Sequence, residues 1–289
     1  MFPSSFEYVA AHSVEEAVTA KREGGEDVRF LAGGQSLIPM MKTRLATPAM
    51  LVDINGIPGL DTLERANGHL RVGALVRHAD VASSDLTFGA VRSAAPWISD
   101  PLVRNRGTLC GAVAHCDPEG DWNSVLLATG AEVIARGRNS ERAIPISEFI
   151  VDFFANALVD DEMVTEVHIP IPSGRAGGSY QKLERKVGDY ATVAVAAHLE
   201  LDDDGTIARA GLALTAVNPV NTKVVAADSM LVGQRPDMEL FTAAAEVAAQ
   251  AAHPRDDVRG TAEWKRNVVR VFTRRALSAA ANEAGAAVA

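Results

Sequence analysis

A pair of adjacent glycines between two apolar runs constrains the folding of this chain more than any other feature. Gly33 and Gly34 follow the strand-like run Val28–Leu31 and precede a second apolar run at residues 37–41. This order predicts a strand, a tight turn and a helix, because glycine adopts backbone conformations that other residues avoid. The unpaired N–H groups at a helix N-terminus bind anions well. The segment therefore indicates a phosphate-binding loop, with Ser36 as helix cap or phosphate contact, and an ordinary turn is the alternative.

A second glycine-bearing segment lies at residues 104–112. It combines Gly107 and Gly111 with Thr108 and several small side chains, and a polar turn is predicted after it, at residues 114–118. Neither segment has the spacing of the Rossmann fingerprint or of a P-loop. Two such loops are suited to hold the two phosphates of a dinucleotide from two sides through backbone N–H groups. The sequence therefore predicts a dinucleotide site outside those two folds.

The two segments resemble the FAD pyrophosphate loops of the medium, FAD-binding subunit of molybdenum hydroxylases. This family includes aerobic carbon monoxide dehydrogenase and the flavin portion of xanthine dehydrogenase. The resemblance rests on A-G-G-Q-S at residues 32–36 and T-L-C-G at residues 108–111. It continues in K-T-R-L-A-T-P at residues 42–48, K-L-E-R-K-V-G-D-Y-A-T at residues 182–192 and A-E-W-K-R at residues 262–266. It thus covers nearly the whole chain, and the carbon monoxide dehydrogenase branch is the most similar.

The resemblance implies which residues hold FAD. They lie in both loops and further along the chain: Ala32, Gly33, Gly34, Gln35, Ser36, Leu37, Thr108, Leu109, Cys110, Gly111, Ala112, Asp117, Lys182 and Tyr190. In the family, the segment that contains Lys182 and Tyr190 lies along the flavin, and Tyr190 resembles an aromatic residue that shields one flavin face. Without the resemblance, Lys182 is interpreted as a surface lysine and Tyr190 as an ordinary strand aromatic.

Two positions depart from the pattern of the family. Cys110 replaces the first of two adjacent glycines in the second loop. Its Cβ is expected to narrow the approach of a phosphate, although cysteine is small and the loop need not require a positive φ there. Trp264 stands where a tyrosine is common, which we interpret as a change in packing.

Charge and hydropathy exclude several classes of partner. The net charge of −9 argues against binding to nucleic acid or to an anionic membrane. No apolar run reaches the roughly 20 residues that a membrane-spanning helix needs, and the N-terminus lacks the basic and apolar regions of a secretory signal. A cytoplasmic location is predicted, with attachment to the inner face of the membrane through a complex as the alternative.

The count of cysteines places any iron–sulfur cluster on another chain. A cluster needs about four ligands, and this sequence has only Cys110 and Cys116. No pattern indicates a metal site or a catalytic acid, base or nucleophile. His115 is interpreted as a structural histidine, and Arg104 and Arg106 as solvated or interface charges.

The resemblance implies an α+β fold in two domains. Residues 1–174 form an FAD-binding domain of two α/β subdomains, of the vanillyl-alcohol-oxidase or PCMH type, and residues 178–285 form a three-stranded antiparallel sheet with helices. A Pro- and Gly-rich stretch at residues 170–178 predicts the linker. Residue patterns predict strands at residues 28–31, 50–54, 60–64, 69–73, 131–136, 162–169, 180–185, 192–201 and 206–217. They predict helices at residues 13–23, 77–84, 86–97, 222–232, 238–252 and 261–281.

The function implied by the resemblance is that of an FAD-carrying electron-transfer subunit. The substrate is oxidised at a molybdenum cofactor on a large partner chain, and electrons pass through [2Fe–2S] clusters on a small partner chain to FAD on this chain. A quinone, oxygen or an NAD-type acceptor then receives them, and the expected assembly is a dimer of heterotrimers. The first interpretation is a carbon monoxide dehydrogenase-type complex. The alternatives are an aldehyde, purine or N-heterocycle dehydrogenase, a stand-alone flavin oxidase, and a dinucleotide-binding module without redox activity.

Overall fold

The computed structural model describes residues 2–286 of the chain as a mixed α and β structure. Its strands are β1 (Glu7–Ala10), β2 (Val28–Leu31), β3 (Met50–Asp53), β4 (Leu63–Ala66), β5 (His69–Gly73), β6 (Glu132–Arg136), β7 (Glu141–Pro145), β8 (Ile150–Asp152), β9 (Ala155–Asn156), β10 (Met163–Pro170), β11 (Arg175–Glu184), β12 (Ala191–Leu201), β13 (Ile207–Thr215) and β14 (Thr222–Lys223). Its helices are α1 (Val14–Gly24), α2 (Leu37–Lys42), α3 (His78–Ser83), α4 (Gly89–Ala94), α5 (Pro101–Arg104), α6 (Leu109–His115), α7 (Asp121–Thr129), α8 (Ile146–Phe149), α9 (Val225–Leu231), α10 (Met238–Ala251) and α11 (Ala262–Glu283). No helix within these residues is both long and apolar enough to cross a membrane.

A small parallel sheet, in the order β1-β3-β2, carries the first glycine loop. Helix α1 connects β1 to β2 and begins where the sequence predicts, because the Ser13 hydroxyl accepts a hydrogen bond from the N–H of Glu16 at 3.1 Å. The Glu16 carboxylate reaches back to the N–H of His12 at 2.8 Å. Both contacts satisfy N–H groups near the start of the helix that would otherwise lack partners.

A five-stranded sheet, in the order β4-β5-β10-β6-β7, forms the second subdomain. The turn between β4 and β5 is made by Asn67 and Gly68, with φ of 52° and 77°, as a tight hairpin turn of this type requires. The predicted hairpin is therefore confirmed, although β4 begins at Leu63. Strand β10 returns between β5 and β6, so the segment from α3 to α7 is carried on this sheet.

The third sheet is antiparallel, in the order β11-β12-β13-β14. The three long strands are confirmed, and the two-residue strand β14 corrects the predicted three-stranded sheet to a four-stranded one. Along β12, Ala194 and Ala196 face the core of the N-terminal part, whereas Val193 and Val195 face the core formed with α9, α10 and α11. The sheet is therefore covered by helices on both faces.

The predicted linker is shorter than the glycine pattern suggests, because Gly177 and Gly178 lie inside β11. A Cβ on Gly177 would lie 2.1 Å from the carbonyl oxygen of Ala280 in α11. A Cβ on Gly178 would lie 2.4 Å from the nitrogen of Ala90 in α4. These glycines permit close packing of a strand between two helices, and only residues 171–174 connect β10 to β11.

Candidate dinucleotide-binding groove

A groove of about 820 Å³ lies where the loop after β2 meets the loop before α6. Its volume is within the ~300–1,000 Å³ that ligand sites occupy. Ten of the predicted site residues line it: Ala32, Gly33, Gly34, Gln35, Ser36, Leu37, Thr108, Cys110, Gly111 and Ala112. The structure adds a third wall that the sequence analysis missed, formed by residues 154–156, 158–160 and 162–164.

The first loop presents a run of free backbone donors. None of the N–H groups of residues 33–37 donates a hydrogen bond to another group within residues 2–286. Gly34 has φ of +71°, a left-handed conformation that glycine adopts without strain. Ser36 has a helical backbone and makes no side-chain cap, so the prediction that it caps α2 is wrong. Ser36 is nevertheless one of the residues that line the groove.

Helix α6 begins within the second loop, where no helix was predicted, and this corrects the expectation for Cys110. Thr108 caps the helix by accepting a hydrogen bond from the N–H of Gly111 at 3.1 Å. Cys110 is 2 % exposed, and its thiol donates to the carbonyl of Val72 at 3.3 Å. The side chain therefore lies in the core rather than narrowing the groove. The N–H groups of Thr108 and Cys110 have no partner within the described residues.

The two loops touch each other through their backbones. A Cβ on Gly33 would lie 2.2 Å from the carbonyl oxygen of Arg106 and 2.6 Å from the Cα of Gly107. Real Cβ atoms do not come this close to backbone atoms, so any larger residue at position 33 must separate the loops. The glycine at this position serves the contact between the loops as well as the approach of a ligand.

The turn of the β8–β9 hairpin and its second strand, β9, form part of the third wall of the groove. The side-chain amide of Asn156 donates to the carbonyl of Ala114 at 2.7 Å. The ring centroids of His115 and Phe154 are 4.8 Å apart. Burial lowers the pKa of His115, and the charge of Asp117 partly opposes this shift. His115 thus anchors the hairpin at the end of α6.

A second histidine, His78, packs against the second loop. The indole N–H of Trp122 donates to Nδ1 of His78 at 3.1 Å, so the ring carries its proton on Nε2. Burial, aided by the charges of Arg104 and Arg77, lowers its pKa to about 4. His78 also lines the groove. A single histidine among helix residues gives no sequence signal for this position.

The two arginines of the second segment, Arg104 and Arg106, lie in different environments. Arg104 donates to the carbonyls of Ile98 and Ser99 at 2.9 and 2.8 Å, so it is held by the fold and is not a freely solvated charge. Arg106 is exposed, as its interpretation as a solvated or interface charge requires. Among residues 2–286, no group of three His, Cys, Asp or Glu residues is placed to hold a metal ion.

Four predicted site residues do not line the groove: Leu109, Asp117, Lys182 and Tyr190. Leu109 is fully buried, and its N–H donates to the carbonyl of Val76 at 3.3 Å. Tyr190 is 48 % exposed and lies among carboxylates. Burial is the main cause that raises the pKa of Tyr190, and the charges of Asp117 and Glu119 add to the shift. Tyr190 and Asp117 therefore share one cluster outside the groove.

Lys182 is buried, so its interpretation as a surface lysine is wrong. Its ammonium lies 3.0 Å from a carboxylate oxygen of Asp121 and 3.5 Å from one of Glu184. It also donates to the carbonyl of Trp97 at 3.0 Å. Tyr180 donates its hydroxyl proton to the other oxygen of Asp121 at 2.5 Å. Burial raises the pKa of Asp121, and Lys182 opposes that shift.

Comparisons with known proteins match both parts of the chain. Residues 4–172 match the family described as FAD binding domain in molybdopterin dehydrogenase, and residues 178–280 match the CO dehydrogenase flavoprotein C-terminal domain. The chain is 35 % identical to the 6-hydroxypseudooxynicotine dehydrogenase complex subunit alpha of Paenarthrobacter nicotinovorans, over 98 % of this chain and 97 % of that one. It is 36 % identical to the carbon monoxide dehydrogenase medium chain of Hydrogenophaga pseudoflava, over 97 % and 98 %.

The fold also matches a solved structure of carbon monoxide dehydrogenase from Hydrogenophaga pseudoflava. The TM-score is 0.94 at 36 % identity, and the match covers 98 % of this chain and 99 % of that one. The α+β architecture expected from the resemblance is therefore confirmed, with the correction of the fourth strand given above.

Proposed function

The chain belongs to the family of FAD-binding subunits of molybdenum hydroxylases, and on that premise we propose that its groove holds FAD between the two glycine loops. The observation that carries the proposal is the run of N–H groups at residues 33–37, which donate to no group within residues 2–286. Together with the N–H groups of Thr108 and Cys110, which also find no acceptor in that range, they form a cradle for a diphosphate, because backbone donors bind phosphate oxygens without a basic cluster.

The residues of the groove fit the bound group in shape as well as in chemistry. Small residues at positions 32–34 and 111–112 leave room along both loops. The hydroxyl of Ser36 adds a side-chain donor at the start of α2. When bound, the flavin supplies the ability to take up electrons singly and release them as a pair. The chain supplies binding, orientation and exclusion of water, which requires no catalytic acid or base.

We place the flavin end of the site toward the cluster of Tyr190 and Asp117. Both residues lie beyond the C-terminal end of α6, and Tyr190 presents a half-exposed aromatic ring. In this arrangement Tyr190 would cover one face of the flavin, and Lys182, paired with Asp121, would help to hold that end of the site. The corresponding domain division, 1–174 for FAD binding and 178–285 for the C-terminal domain, is part of the same proposal.

The proposed partners are a large molybdenum-cofactor subunit and a small [2Fe–2S] subunit, arranged as a dimer of heterotrimers in the cytoplasm. The support is that relatives matching 97–98 % of the chain are named as a medium chain and as a subunit of a complex. A carbon monoxide dehydrogenase-type complex is our first candidate. An N-heterocycle dehydrogenase is the second, because a relative named for a nicotine derivative is 35 % identical. The two identities are nearly equal, so the partner that binds the substrate decides between them.

Purification of the chain from its host, with its partners attached, tests the proposal. We expect flavin absorption overlaid by iron–sulfur absorption, one FAD released per chain, and a large and a small chain in the same complex. Released flavin is identified by chromatography against FAD and FMN standards. A flavin spectrum on a lone, active chain would replace the proposal with a stand-alone oxidase. A full-length chain that binds no FAD would end it.

A further inference from the structure

A closed ring of contacts joins the two glycine loops from behind the groove. The Arg77 guanidinium donates through one nitrogen to the carbonyl of Arg106, in the second loop, at 2.6 Å. Through another nitrogen it donates to the side-chain oxygen of Asn55, also at 2.6 Å. The amide nitrogen of Asn55 donates to the carbonyl of Ala32, in the first loop, at 2.9 Å. Two side chains therefore connect one loop to the other.

The backbone contact between the loops closes this ring. The carbonyl that Arg77 holds is the carbonyl of Arg106, whose oxygen lies 2.2 Å from the position that a Cβ on Gly33 would take. Gly33 directly follows Ala32, whose carbonyl Asn55 holds. The position of each loop is thus fixed both by contact with the other loop and by the arginine–asparagine link.

The orientation of Asn55 is set by its neighbours. A carboxylate oxygen of Asp53 accepts from the backbone N–H of Asn55 at 2.8 Å and from its side-chain amide at 2.6 Å. The other oxygen of Asp53 accepts from the Tyr8 hydroxyl at 2.6 Å. Because Arg77 is a donor only, the amide oxygen of Asn55 must face it. The link therefore extends to β1 and β3 of the parallel sheet.

We propose that Arg77 and Asn55 are positioning residues that set the distance between the two diphosphate-binding loops. Neither side chain lines the groove, so they act through the loop carbonyls and not on the ligand. The inference rests on the proposed function of the groove. An arginine suits this role because its planar group presents donors in two directions at once, whereas a lysine presents a single ammonium.

Binding of FAD and of ADP to the purified full chain, freed of flavin, tests this role. ADP carries the diphosphate without the flavin. We expect Arg77→Lys and Asn55→Ala to raise the Kd of both ligands by the same factor, about 10- to 100-fold, because hydrogen bonds to charged and buried groups are lost. Circular dichroism of the ligand-free chain at the same temperature reports whether each variant is folded.

Arg65→Lys is the matched control. Arg65 also holds a loop carbonyl with two nitrogens, that of Leu86 at 3.0 and 2.8 Å, but it does not line the groove or contact either glycine loop. We expect it to keep the wild-type Kd for both ligands. Asn55→Ala retains the arginine, and Tyr8→Phe removes only the exposed outer bond. If Arg77→Lys does not fold, these two variants still test the positioning role.

The outcomes separate the two proposals. A wild-type chain that binds neither FAD nor ADP contradicts the proposed function itself. A wild-type chain that binds FAD, with folded Arg77→Lys and Asn55→Ala variants of unchanged Kd, overturns the positioning role alone. Weaker FAD binding with unchanged ADP binding also overturns it, because a changed loop separation must affect the diphosphate.

Discussion

At the scale of single residues, Gly33 has the most demanding position in the chain. Any side chain there meets the carbonyl of Arg106, 2.2 Å from the place of a Cβ, so the loops must move apart. We expect Gly33→Val to abolish FAD retention, measured as flavin released per purified chain. Gly174→Ala is the control, because a Cβ at Gly174 meets no atom of the described residues within 4 Å. Full flavin occupancy in Gly33→Val would remove the first loop from the site.

Cys110 gives a second prediction at this scale, in which a substitution lowers stability and leaves FAD binding unchanged. Its thiol is buried, and its raised pKa, caused by burial, keeps it protonated. We expect Cys110→Gly to lower the free energy of unfolding by about 2 to 4 kcal/mol, because it leaves a void and adds glycine to a helix. The Kd for FAD should stay unchanged, since the side chain points into the core.

Urea unfolding of the ligand-free chain and a flavin titration measure these two quantities. Cys110→Ala keeps the Cβ and serves as the control, with a smaller loss of stability. If Cys110→Gly bound FAD at least tenfold more tightly than Cys110→Ala, the Cβ would narrow the phosphate approach after all, as the sequence suggested.

At the scale of elements, helix α3 meets helix α7 through the bond between His78 and Trp122. The pKa of His78 is about 4 in the fold and about 6.5 in an unfolded chain. Between these values the unfolded chain binds more protons than the folded chain, so stability falls as the pH falls. We expect a loss of about 3 kcal/mol between pH 7 and pH 4 from this residue.

Urea unfolding across that pH range, compared with His78→Asn, isolates the contribution. Asparagine keeps an acceptor for the indole N–H but does not titrate, and the carboxylates of the chain affect both proteins alike. The wild-type curve should fall more steeply than that of the variant below pH 6.5. Parallel curves would mean that folding leaves the pKa of His78 close to its value in the unfolded chain.

Elements with a local signal were predictable from the sequence, and elements fixed by distant contacts were not. The hairpin at Asn67 and Gly68 and the start of α1 at Ser13 follow from turn and cap chemistry. Helix α7 was missed because residues 122–129 are all buried, which removes the amphipathic pattern. Strand β7 was missed because four of its five residues are exposed.

The same distinction applies to the groove. The loops were predictable because a glycine indicates a special backbone conformation or a close approach at its own position. Arg77 and Asn55 were not, because their role depends on carbonyls of Arg106 and Ala32 that only the fold brings near. A further wall, the hairpin of β8 and β9, consists of five strand residues with no strong pattern.

At the scale of the whole molecule, helix α7 ties the FAD-binding part to the C-terminal sheet. Asp121 at its start is held by Lys182 of β11 at 3.0 Å, and the carbonyl of Thr129 at its end accepts from Arg209 of β13 at 2.8 Å. The turn before the helix is held as well, since Arg259 contacts Glu119 at 2.8 Å. The second glycine loop is therefore continuous with a helix that the C-terminal domain fixes at both ends.

Lys182→Met tests this connection and the remaining prediction for Lys182 together. The change leaves the buried carboxylates of Asp121 and Glu184 without their cation, so we expect the free energy of unfolding to fall by about 3 to 5 kcal/mol. Arg270→Met is the control: its pair with Glu246, at 2.9 Å, is exposed on both sides and contributes about 0 to 1 kcal/mol. A loss of stability no larger than that of the control would contradict the role of Lys182 in holding α7. The Kd for FAD, measured where the variant is fully folded, then decides the cofactor role: an unchanged Kd confines Lys182 to the domain contact, and a weaker one extends its role to the flavin.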